Sequence, residues 1–150
     1  MMGLPEKFAR GILNSNFIDN EGQPSIQLFV FEDKSLNTIS NNLELSINLL
    51  SDVDAITQLL NETSTKYLGD LLYKEGVVVL STECFHLMSA FPNNRKYGLA
   101  IKEDALPNNQ YHGNLLMKSG VSKPIRMKIA YAIFQNCFLD YINGRNLTTD

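Results

Sequence analysis

The sequence predicts an α+β fold: a single mixed or mostly antiparallel sheet packed by a long C-terminal helix, in one globular domain spanning residues 1–150. Three patterns carry this expectation. Leu43, Leu45, Ile47 and Leu49 alternate with Glu44, Ser46 and Asn48, which is the period of a half-buried strand. Val77-Val78-Val79-Leu80 is a continuous, mostly β-branched run, short enough for a central strand. The apolar-rich stretch after Ser122 and Pro124 reads as the longest helix, with Asn143-Gly144 as its left-handed exit. Strands and helices do not alternate as regular βαβ units, which disfavours a doubly wound sheet.

The remaining elements follow in order. After Pro5-Glu6-Lys7, residues Leu4, Phe8 and Ile12 fall at i, i+4 and i+8, a short helical pattern. Asp19-Asn20-Glu21-Gly22-Gln23-Pro24 is a turn cluster leading into Ile26-Gln27-Leu28-Phe29-Val30-Phe31, an apolar run that suits a buried strand. Ser51 stands as an N-cap with Asp54 three residues on, and Val53, Ile56, Leu59 and Leu60 give the stripe of the helix that follows. Tyr67 to Tyr73 predicts a short helical turn stopped near Gly76. Ser81-Thr82-Glu83 either caps a helix through about Phe91 or continues the preceding strand. Tyr97 to Lys102 and Gln110 to Met117 read as two further strands around the turn Leu106-Pro107-Asn108-Asn109.

Composition excludes several classes. The chain has 150 residues, 44% hydrophobic and 19% charged, with a formal net charge of −3, which is too apolar and too weakly charged for a disordered chain. Two cysteines cannot make a disulfide scaffold, and Cys84 and Cys137 read as free buried thiols. No uncharged apolar run approaches the ~18 residues of a membrane span. The N-terminus lacks the apolar core of a secretory signal. A soluble cytoplasmic protein is the expectation.

Charge is uneven along the chain. Residues 1–90 carry five basic and twelve acidic side chains, a net −7. Residues 91–128 carry Arg95, Lys96, Lys102, Lys118, Lys123, Arg126 and Lys128 against Glu103 and Asp104, a net +5. Such a segment reads either as a phosphate-binding or acidic-partner surface, or as solvated faces of a hairpin and a helix start. Lys123 would lie at the positive end of a helix dipole, where a cation is disfavoured unless an anion is near. No aromatic-interleaved basic groove supports nucleic acid.

The chain has no GxxxxGK[ST], strand-borne GxGxxG, HExxH or GxSxG, which disfavours P-loop, zincin and α/β-hydrolase chemistry. Cys84 and His86 could share a zinc ion with His112 and Cys137 if their segment is a strand. On a helix the two side chains diverge by ~200° and the pair dissolves. A cysteine nucleophile would use Cys84 or Cys137 with His86 or His112 as base, but nothing local resembles a nucleophile elbow. Tyr111-His112-Gly113-Asn114 lies inside the basic third, where a His beside a Tyr could do acid–base work on a phosphodiester. The structural alternative has Tyr111 packing, His112 hydrogen-bonding at a sheet edge and Gly113 relieving crowding or forming a bulge.

Three stretches together resemble a group of small uncharacterised bacterial proteins of similar length. They are Phe17-Ile18-Asp19 with Gly22 to Phe29, Gly76 to Cys84, and Leu106 to Asn114 with Ser122-Lys123 and Arg126 beyond. That group carries an I-x-D-G-x-x-S-x-x-F opening and a late His before an S-K-x-x-x-R helix; here Asn20 and Glu21 precede Gly22. The resemblance brings no activity and so no catalytic residues.

The leading expectation is therefore a non-catalytic cytosolic bacterial interaction or accessory protein working in a complex, as in a defence or conflict operon. Its associate would be a protein partner or a second copy, with no cofactor, metal or membrane and with nucleic acid disfavoured. The alternative is a small enzyme acting on a phosphate-bearing substrate such as RNA. It would use His112 and Tyr111 as catalytic residues and Lys123 and Arg126 to bind the anion. That alternative requires His112 and Arg126 to line one accessible pocket.

Overall fold

The computed structural model describes residues 3–62 and 72–143. Seven strands form one antiparallel sheet: β1 (Lys7–Gly11), β2 (Leu36–Asn37), β3 (Asn42–Leu49), β4 (Gly76–Ser81), β5 (Ala100–Glu103), β6 (His112–Lys118) and β7 (Phe138–Asn143). Three α-helices accompany them: α1 (Asp54–Asn61), α2 (Thr82–Ser89) and α3 (Lys123–Cys137). The spatial order is β5-β6-β3-β1-β4-β7, with β2 also paired to β3. The expected α+β architecture, with the C-terminal helix α3 packed on the sheet, is what forms. No helix among the described residues is long and apolar enough to cross a membrane.

Strand β3 sets the two faces. Its whole length pairs with β6, from Asn42 opposite Lys118 to Asn48 opposite His112. Leu43, Leu45, Ile47 and Leu49 join Phe8, Ile12, Val78, Leu80, Leu115 and Met117 in the main core. This face is closed by Phe85 and Met88 of α2 and by Ile129, Ala130, Ile133 and Cys137 of α3. Phe8 meets Phe85 edge-on at 6.0 Å, a favoured arrangement for paired aromatics. On the opposite face Ala9, Val77 and Val79 pack with Leu59 of α1, and the polar residues of β3 lie beside them.

Several local expectations change. Leu4, Phe8 and Ile12 belong to the β1 region, not to a helix, because a spacing of four keeps residues on one side of a strand as well as near one face of a helix. Ile26–Phe29 is a 3₁₀ turn, not a strand; Ser25 starts it by accepting from the Gln27 N–H. The turn drops Leu28 and Phe29 into the core without ladder pairing. The N-terminal approach to α1 is fixed by Asp52, whose Oδ1 accepts from the Asp54 N–H at 2.9 Å, and not by Ser51. Tyr67 to Leu71 lie outside the described residues, and Leu72 to Glu75 form a turn into β4. The last helix stops at Cys137, and Phe138 to Asn143 form the edge strand β7 on β4. The turn at Asp19 and the strands over residues 43–49 and 77–80 form as expected, and of the two readings at Ser81 the helix cap forms, through Cys84 N–H donating to Ser81 Oγ at 3.1 Å.

Gly113 is opposite Ile47 on β3 and Glu103 on β5. A Cβ there would stand 2.8 Å from the Lys102 carbonyl oxygen and 3.4 Å from Leu49, so the glycine relieves crowding between β5 and β6. Gly113→Ala should lower stability by about 1–3 kcal/mol, read as an earlier urea midpoint with an unchanged slope.

Candidate functional site

The turn before β6 is tied down by a chain of buried amides. Asn109 Oδ1 accepts from the Tyr111 N–H at 3.0 Å, and its Nδ2 donates to Asn48 Oδ1 at 2.8 Å. Asn48 Nδ2 in turn donates to the Ala55 carbonyl of α1 at 3.0 Å. These bonds satisfy side chains that would be costly to bury alone. They also fix how Tyr111 and His112 leave the backbone.

Tyr111 donates its hydroxyl to Asp52 Oδ2 at 3.1 Å. That hydrogen bond raises the phenol above its usual range, so the oxygen holds its proton. His112 Nδ1 lies 2.8 Å from the Asp104 carbonyl oxygen and 3.6 Å from Asp104 Oδ2. A carbonyl only accepts, so Nδ1 carries a proton. Asn114 Nδ2 steadies the same carboxylate at 3.0 Å. His112 lines a cavity of about 170 Å³ with Ser46, Asn48, Glu62, Tyr73 and Asn109.

Lys123 and Arg126 are elsewhere. They line a groove of about 520 Å³ with Glu32, Asp33 and Lys34 at the start of α3. All three guanidinium nitrogens of Arg126 are engaged by the chain itself: Nε on Val121 O at 2.9 Å, Nη1 on Phe31 O at 3.1 Å and Nη2 on Asp33 Oδ1 at 2.9 Å. Arg126 thus fastens the 31–33 segment to α3. The structure does not bring His112 and Arg126 into one pocket, which the enzyme reading requires. Other members of the basic third are also used locally: Arg95 donates to Ala90 O and Lys96 lies over the Tyr97 ring.

Three side chains that sequence reasoning did not single out converge instead: Arg10, Glu62 and Tyr73. Strand β1 pairs with β3 only at Phe8–Leu49 and Ala9–Asn48, while β2 takes the far end of the same β3 edge at Leu43 and Asn42. In the gap between, Arg10 Nε donates to Leu28 O and Nη1 to Ser46 O, each at 2.7 Å. The guanidinium replaces missing ladder bonds. A second cavity, about 210 Å³, opens here; Arg10, Ser35, Glu44, Ser46 and Tyr73 line it. It shares Gly11, Ser46 and Tyr73 with the His112 cavity. A Cβ at Gly11 would overlap the Tyr73 ring, so the glycine lets that ring lie on β1. Burial raises the Tyr73 phenol, with Glu62 adding to the shift and Arg10 opposing it. Burial also lowers Arg10 to about 10, with Tyr73 and Glu32 opposing the shift, which leaves it cationic at neutral pH. The only sequence signal was Arg10 standing between Phe8 and Ile12 at strand spacing, a charge on an apolar face.

Cys84 and His86 lie on α2, and the helical spacing separates them: His86 is exposed and Cys84 packs against the core. Among the described residues no three His, Cys, Asp or Glu side chains are grouped as ligands of a metal ion would be. Cys137 is fully buried, and burial, with a smaller effect from the Cys84 thiol, pushes it up to about 12.

Arg126→Ala should cost about 2–3 kcal/mol, mainly from the lost bonds to buried carbonyls; the exposed Asp33 adds little. Denaturant titration measures it. At pH 8 a thiol with a pKa near 12 is ionised only on the order of one part in ten thousand. Iodoacetamide should therefore leave Cys137 unlabelled in the native protein and modify it after unfolding, as mass spectrometry will show. No family model, curated protein or solved structure matches this chain.

Proposed function

We propose that the chain is a non-catalytic binding protein that works in a complex with a protein partner, and that it presents the outer face of α3 and the adjoining edge of β7 for this purpose. The reading keeps the interaction role expected from the sequence. The observation that carries it is an apolar stripe on the outside of the longest helix.

Met127, Tyr131, Phe134 and Phe138 are spaced four, three and four apart, which keeps them on one helical face over ~16 Å. This face lies roughly 130° around the helix from the buried stripe of Ile129, Ile133 and Cys137. Tyr131 is 55% exposed and Leu139, the next residue into β7, is 49% exposed. Phe134 and Phe138 stack at 5.1 Å, so the stripe passes without a break from helix to strand. Isolated exposed apolar residues need no explanation, but a continuous row beside a strand edge does.

The two edges of the sheet differ in the same sense. β5 has four residues and carries Lys102 and Glu103, the short charged edge that discourages pairing. β7 has six residues, Phe-Leu-Asp-Tyr-Ile-Asn, with a single charge.

The test is recovery of the tagged protein under mild extraction, followed by light scattering and quantification of the neighbouring gene's product. A stoichiometric complex is expected, and Tyr131→Lys with Leu139→Lys should abolish it while changing stability by less than about 0.5 kcal/mol. A lone monomer, or a complex indifferent to both substitutions, overturns the proposal.

A further inference from the structure

We propose that the cleft between β1 and β3 binds a small zwitterion of the α-amino acid class, with its carboxylate on the Arg10 guanidinium and its ammonium toward the Glu44 carboxylate. This site is separate from the α3–β7 surface and stands or falls without it.

Two charges line this cleft with no ion-pair partner among the described residues, although Glu32 acts on Arg10 from a greater distance. Among the described residues no carboxylate lies within ion-pair distance of Arg10, and no cation lies within that distance of Glu44. Two of the five guanidinium N–H groups go to the carbonyls of Leu28 and Ser46. The guanidinium also lines the cavity between β1 and β3. Glu44 accepts only long bonds from Asn37 Nδ2, at 3.4 and 3.5 Å. Desolvated charges favour an opposite charge when one can enter.

Both residues line the same cavity of about 210 Å³, the volume of a handful of water molecules at ~30 Å³ each. A small amino acid fits; a nucleotide does not. Spacing is also suitable. Arg10 holds Ser46 O, and Glu44 is two residues back along β3, an advance of ~6.8 Å on the same side of the strand. The adjacent charges of an α-amino acid, with a hydrogen bond of ~2.8 Å at each end, span that distance. Ser35, Ser46 and Tyr73 add neutral hydroxyls to the wall. The forked guanidinium suits the two oxygens of a carboxylate. Glu44 on the opposite wall selects against polyanions such as phosphate.

Isothermal titration with four probes separates the possibilities: L-alanine, propionate, ethylammonium and inorganic phosphate. L-alanine should saturate one site at least about tenfold more tightly than either half-molecule, a difference of about 1.4 kcal/mol, with phosphate weakest. Arg10→Lys should weaken L-alanine by about tenfold or more through loss of the fork. Because Arg10 also bridges the sheet, Glu44→Gln is the deciding variant: it should stay folded and bring L-alanine and propionate to within about threefold of each other. The proposal is overturned if no probe saturates by about 20 mM, if phosphate binds best, or if Glu44→Gln leaves the L-alanine preference intact.

Discussion

Everything else in this fold depends on the alternation along β3. Its odd-numbered residues, Leu43 to Leu49, are nearly fully buried, and each contributes about 1.5–3 kcal/mol by leaving water. A slip of one residue would move all four to the other face and bring Glu44, Ser46 and Asn48 into the core. The register with β6 is therefore strongly fixed, and it sets Leu115 and Met117 on the core side and His112 and Asn114 on the polar side. The position of His112 beside Asn48 follows from that register, together with the amide bonds that tie down the turn before it.

The same strand explains why a charge sits inside the sheet. β1 and β2 both need the one edge of β3 that β6 leaves free, and neither covers all of it. Residues between their pairing positions would be left with unpaired carbonyls, which a fold tolerates poorly. Arg10 fills that role for Ser46, at the cost of its own desolvation. Burial holds its folded pKa at about 10, below the ordinary guanidinium value of 12.5, so folding disfavours the cation. The sign follows: the penalty is fully present below about pH 10 and is relieved as pH rises toward the unfolded value. An anion entering the cleft would offset the penalty at neutral pH, since the Glu32 charge that already favours the cation is not in ion-pair contact with Arg10.

How far the sequence could be read depended on whether its pattern had one solution or two. The 43–49 alternation and the 77–80 β-branched run had one, and they carried the fold class; Ser81-Thr82-Glu83 had two, a helix cap or a longer strand, and the cap forms. Leu4, Phe8 and Ile12 had two, because four is a multiple of the strand period and close to the helical one. Ile26 to Phe31 had no alternation at all, and Ser25 tipped it into a 3₁₀ turn. At the end of α3 the pattern held a warning: Phe138 and Leu139 fall off the buried stripe, and six residues with aromatic and β-branched members suit a strand. The cleft was illegible for a different reason. Arg10, Glu44, Glu62 and Tyr73 come from four separate elements, and only the topology brings them near one another.

The charge asymmetry along the chain illustrates the same point from the other side. A −7 front and a +5 segment suggest opposed surfaces, yet the chain folds one onto the other. Asp33, from the acidic front, closes on Arg126 from the basic segment at 2.9 Å. Asp52, also from the front, receives the hydroxyl of Tyr111 from that segment. Asp104, one of its two acids, orients His112 by its carbonyl and holds Asn114 by its carboxylate. Charges separated in sequence thus become ties between elements, because an antiparallel sheet with β3 at its centre places the first half of the chain against the second. Between β1 and β3, one guanidinium and one carboxylate, Arg10 and Glu44, line a single cavity without an ion-pair partner among the described residues. A binding site is better sought where folding leaves opposite charges unmatched than where the sequence accumulates one sign, because only the unmatched groups retain interaction energy for a ligand.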